Sequence, residues 1–117
     1  MADQPLVTYL RTYRRRTGLS QTEVAFLIGS IDGKLVSRHE CGERLPTLHT
    51  VLKYSFILGV PVHDIYEGLS TGVRRDICTR AGGLIRQLQR TERTWRRDRK
   101  LRLLEGMIQL GVDERAG

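Results

Sequence analysis

At 117 residues, with 39% hydrophobic and 6% aromatic side chains, the chain has room for one domain with a mostly aliphatic core and an extension. A formal net charge of +7 favours a polyanionic partner, although a basic surface alone is weakly specific. No run approaches the roughly 18 apolar residues of a membrane span, and MADQPLVTYL lacks the basic-then-apolar pattern of a signal peptide, so a cytoplasmic protein without a membrane partner is expected.

Met1–Gln4 is expected to be a loose arm, and Pro5 suits the first turn of a helix. Leu6, Val7, Leu10 and Tyr13 recur at helical spacing, and Arg11, Arg14, Arg15 and Arg16 crowd the end, where cations favour the helix dipole. Thr17-Gly18 ends this first helix. In the second, Ser20 with Glu23 three residues on is a capping box, and Val24, Leu27 and Ile28 form an apolar face. Gly29 permits the positive φ that stops it. A third helix runs from Gly33 or Lys34 to Glu40, buries Val36 and leaves Lys34, Ser37 and Arg38 free. Two helices this short are unstable alone. A short polar-faced helix fixed against a capped partner is the geometry of a helix-turn-helix, whose second helix enters the DNA major groove.

Pro46 biases Leu45 away from helix, and Thr47 caps a fourth helix with Leu48, Val51, Leu52, Ser55, Phe56 and Leu58 on its apolar side, closed by Gly59. Val60–Gly68 is a turn and a short fifth helix. No period-2 alternation stands out, so the fold class is all-α. The expected domains are 5–68, a helix-turn-helix unit, and 69–117, a basic helical extension. Residues 1–68 hold 8 Lys and Arg against 7 Asp and Glu; residues 69–117 hold 12 against 6, so most of the basic excess lies in the extension. There, Val73–Gln89 has helical character with Gly82-Gly83 as a weak point. Thr91–Arg97 is a polar connection, and Leu101, Leu103, Leu104, Met107, Ile108 and Leu110 mark a last amphipathic helix before a frayed Val112–Gly117.

The pattern from Leu10 to Gly68 resembles the Cro/C1-type helix-turn-helix domain of the XRE family. The matching features are Leu10 and Arg14, Gly18-Leu19-Ser20-Gln21, Glu23-Val24-Ala25, Gly29, Val36-Ser37-Arg38, Glu40, Gly42, Pro46-Thr47-Leu48 and Leu58-Gly59-Val60. The resemblance covers about half the chain. It implies a five-helix DNA-binding domain of the lambda-repressor-like kind and a transcriptional regulator, such as a repressor. Two departures stand out. The link from Gly29 to Val36 is one residue longer than is common, so Ser30-Ile31-Asp32-Gly33 is read as a longer turn, and His39 and Cys41 replace an aromatic and a polar residue.

The resemblance implies base reading by Lys34, Ser37 and Arg38, the last able to fork onto guanine O6 and N7. It implies a phosphate contact at Gln21. Gly33 is either a close-approach position or only a turn glycine, and Arg44 either a phosphate contact or a surface charge. Arg14 and Glu40 are expected as a structural ion pair between the first and third helices. The run Arg90–Arg102 is either a phosphate grip or, on the preferred reading, a solvated face over an apolar strip with Trp95 as packing anchor.

No catalytic residues and no cofactor are expected: GxSxG, HExxH and a Gly-rich phosphate loop are all missing. His39, His49 and His63 have no spacing that builds a metal site, and Cys41 and Cys78 stand 37 residues apart without a CxxC, as reduced thiols. The expected partners are double-stranded DNA and a second copy bound through the C-terminal helices. The alternative is an adaptor or antitoxin whose extension binds another protein.

Overall fold

The computed structural model describes residues 7–116, with side chains as far as Gly111. The described residues form seven helices with their connecting turns and contain no strand. The chain falls into two compact units, one up to Ser70 and one from Thr71.

The first unit holds α1 (Leu10–Thr17), α2 (Gln21–Ile28), α3 (Lys34–Glu40), α4 (Leu48–Leu58), α5 (Val62–Ile65) and the first turn of α6 (Glu67–Gln89). Local chemistry sets most of the boundaries. The Ser20 side chain accepts from the Glu23 backbone N–H at 3.0 Å while Glu23 Oε1 accepts from the Ser20 N–H at 2.8 Å, which closes the capping box on α2. Thr47 accepts from the Thr50 N–H at the start of α4. Gly29 and Gly59 end α2 and α4 at φ of 85° and 69°, a region that side chains with a Cβ rarely adopt.

Two boundaries differ from the sequence reading for tertiary reasons. Val7, Thr8 and Tyr9 are not helical; Pro5, Leu6 and the Met1–Gln4 arm lie outside the described residues. The Tyr9 N–H and the Thr8 hydroxyl both donate to the Ile65 carbonyl, at 2.9 and 3.2 Å, so the chain is held against the end of α5 and α1 starts only at Leu10. Gly68 does not end the fifth helix. Tyr66, at φ −119° and ψ 46°, breaks it two residues earlier, and Gly68 lies inside α6.

The core is Leu10 from α1, Val24, Ala25 and Ile28 from α2, Val36 from α3, Val51 and Tyr54 from α4, with Ile65 and Tyr66 closing the base. The apolar faces are not all those expected. Leu27 is half exposed, and Ala25 takes its place in the core. On α4 the buried pair is Val51 and Tyr54, whereas Leu48, Leu52 and Phe56 point outward, Phe56 at 89% exposure. α2 and α4 each carry apolar residues around more than one stripe, and packing against Val36 and Leu10 selects one of them.

The second unit comprises α6 from Thr71 onward and α7 (Trp95–Ala116). α6 runs unbroken through Gly82-Gly83. α7 begins six residues before Leu101, because the Thr94 hydroxyl accepts from the Arg97 N–H at 3.1 Å and caps it. The Arg97 guanidinium ties the two helices by donating to the Leu88 carbonyl at 2.9 Å. Ala81 and Leu104 are buried between them. Trp95 is no packing anchor within this unit: as the first residue of α7 it is 66% exposed, with the Arg99 guanidinium 5.1 Å from its ring centre. The expected fraying from Val112 falls on residues whose side chains lie outside the described part, as does Gly117.

Candidate nucleic-acid interface

α3 is only seven residues long, so its position depends on what grips its inner face. That face consists of Val36, His39 and Glu40, all buried. Gly33 is its N-cap and has an ordinary φ of −75°. A Cβ there would stand 3.4 Å from the Gln21 Cβ and the Thr22 backbone nitrogen, so glycine seats the start of α3 directly against the start of α2. The Asp32 carboxylate accepts from the Lys34 N–H at 2.9 Å. Lys34, Arg38 and Cys41, at i, i+4 and i+7, form the exposed stripe. Ser37, expected to be free, is half-buried beside it. Arg44 is exposed just beyond the helix.

Glu40 is the hub behind this surface, and its side chain has no exposed area. Arg14 donates through Nε and Nη2 to its two oxygens, and Gln21 Nε2 donates to Oε1 at 3.0 Å. Arg11, expected only among the cations crowding the end of the first helix, adds a contact at 3.4 Å. Its place three residues before Arg14 on one helix was the available signal. Burial pushes the Glu40 carboxyl pKa up, but the hydrogen bonds from Arg14, Gln21 and Arg11 and the charge of Arg14 outweigh it, and the net shift is downward. Arg14 Nη1 also donates to the Leu19 carbonyl at 2.9 Å, so one guanidinium ties α1, the entry to α2 and α3 together. The Gln21 side-chain amide is therefore committed to Glu40, and its backbone N–H at the start of α2 remains the group suited to a phosphate.

His39 explains one departure from the family pattern. The imidazole fills a buried aromatic slot, edge-on to Tyr54 with ring centres 5.6 Å apart. Its Nδ1 lies 2.6 Å from the Tyr54 hydroxyl. Burial raises the Tyr54 pKa, and burial followed by the charge of Arg44 lowers that of His39. The pair therefore sits as a neutral phenol and a neutral imidazole sharing one hydrogen bond. A lowered histidine binds fewer protons folded than unfolded, so stability is full above pH 6.5 and falls as the pH drops below it. Urea unfolding at pH 7.5 and 5.5 is expected to show that loss in the wild type and a smaller one in His39→Phe. An equal loss in both would exclude His39 as the source.

Among the described residues, no group of three or more His, Cys, Asp or Glu is placed to hold a metal ion, and no helix is long and apolar enough to cross a membrane. Cys41 and Cys78 are free thiols. Ile31, expected within the longer turn before the third helix, is completely exposed there.

A family model described as a helix-turn-helix domain matches residues 5–66, just over half of the chain. No curated protein and no solved structure matches it.

Proposed function

Because the chain belongs to the helix-turn-helix domain family, of the XRE (Cro/C1) kind, we propose that it is a sequence-specific double-stranded DNA-binding regulator with α3 in the major groove. The observation that carries this reading is the two-sidedness of α3. Its inner face is clamped by Val36, His39 and the Glu40 hub, while Lys34 and Arg38 stand free on the outer one. A planar guanidinium on a rigidly held helix suits bidentate reading of guanine. Lys34 and Ser37 border it, Gly33 keeps α3 close to α2, and the Gln21 N–H and Arg44 supply phosphate contacts that set the register.

The protein acts in this reading as a homodimer through its C-terminal helices. The supporting observation is the exposed apolar surface of the α6–α7 pair, where Val73, Ile77 and Leu110 line a groove between the helices and, with Leu103, are between 49% and 67% exposed. Two helices alone bury little apolar surface, and a second copy would cover that face. A different protein on the same face is the adaptor or antitoxin alternative.

Titration of a fluorescent DNA duplex with the full chain at two salt concentrations tests DNA binding. Affinity is expected to fall with salt, each neutralised phosphate adding about −0.9 to the log–log slope. Absent or salt-independent binding would overturn the reading.

A further inference from the structure

We propose that Ile31 is a specificity-determining residue that recognises the 5-methyl group of a thymine next to the bases read by α3. The inference rests on the DNA-binding reading above and extends it to a residue outside the helix.

Ile31 is 100% exposed, the most extreme value among the large apolar side chains described. It stands at the tip of the turn between α2 and α3, within the link that is one residue longer than the common family spacing. The turn is fixed from within. The Ser30 N–H donates to the Ala25 carbonyl at 2.8 Å, the Ser30 hydroxyl to the Asp32 carbonyl at 3.3 Å, and the Lys34 N–H to the Asp32 carboxylate. On its far side, Gly33 is seated against Gln21 and Thr22. The backbone on both sides of Ile31 is therefore pinned while its side chain has no partner in the unit.

A branched aliphatic group in water on a pinned backbone adds no burial to the unit's own stability. It lies three residues before Lys34, on the approach to the end of α3 that meets base edges in a helix-turn-helix. In the major groove the one apolar feature a base pair offers is the thymine methyl, and aliphatic contact with it is a recognised mode of base reading. A protein partner would also cover an isoleucine. The flanking Lys34 and Arg38 and the packing of the turn beside the α2 N-terminus favour DNA instead.

The test uses the duplex enriched by the full chain from random DNA. Each thymine is replaced in turn by deoxyuridine, which removes only the methyl group and keeps every hydrogen-bonding edge. Wild-type affinity is expected to fall about fourfold at one thymine in each half-site, the worth of one buried methyl. Ile31→Ala should bind the thymine and uracil duplexes equally and keep the wild-type melting temperature. Wild-type indifference to every replacement, or an undiminished thymine preference in Ile31→Ala, overturns the proposal. If selective binding persists and still depends on Arg38, the role of Ile31 falls alone; if no duplex is enriched, the DNA-binding reading falls with it.

Discussion

Glu40→Ala is expected to lower the unfolding free energy by on the order of 3–5 kcal/mol, the usual cost of removing one partner from a buried ion pair. Two effects add. The variant strands the Arg14 guanidinium, whose side chain is only 12% exposed, without its carboxylate. It also frees Gln21 and Arg11, so α1, α2 and α3 lose their common tie. At about 4–8 °C per kcal/mol for a domain of this size, the melting temperature should drop by more than about 10 °C. The acid dependence carries the same signature. The net downward shift at Glu40 means that its contribution is complete above pH 4.5 and is lost as the pH falls through the folded-state value. Thermal unfolding of wild type and Glu40→Gln between pH 6 and pH 3 should therefore converge toward the acid end. A loss below about 1 kcal/mol in Glu40→Ala would mean that the network behaves as an exposed surface pair.

Arg38→Ala is expected to weaken binding to the preferred duplex by roughly 10- to 100-fold, the worth of one bidentate base contact. Binding to scrambled DNA and the melting temperature should be nearly unchanged, because Arg38 is exposed and no hydrogen bond of its side chain supports the core. Gln21→Ala should behave differently: it keeps the backbone N–H but removes a bond to Glu40, which lowers stability and, by loosening the α2–α3 clamp, weakens all sequences alike. Paired titrations on preferred and scrambled duplexes separate the two. Identical behaviour of the two variants would contradict the division between base reading and register setting.

Much of the first unit was legible because its signals are local. Ser20 with Glu23, Thr47 with Thr50, and the glycines at 18, 29 and 59 act within a few residues of themselves, and each appears where the spacing places it. What escaped depends on distant partners. The late start of α1 follows from Thr8 and Tyr9 binding the Ile65 carbonyl, 56 or more positions along the chain. The inward stripe of α4 is Val51 and Tyr54 rather than Leu48, Leu52 and Phe56, and periodicity does not choose between two apolar stripes on one helix. For the candidate site, the exposure of Lys34 and Arg38 followed from burying Val36. The clamp of Arg11 and Gln21 on Glu40 did not, because three helices must first meet. Ile31 was legible only as part of a longer turn, and its complete exposure shows only once the backbone around it is in place.

The net charge of residues 1–68 is only +1, so general attraction to phosphate is weak there and selectivity must come from individual side chains on α3. Selection of binding sites from random DNA by the full chain measures this most directly. The expected result is a roughly palindromic site whose half-sites lie about 10–10.5 base pairs apart, the spacing of two recognition helices in successive major grooves, and which Arg38→Ala no longer enriches. Enrichment of no sequence, or of the same sequence by wild type and Arg38→Ala, would contradict α3 as the reader of bases.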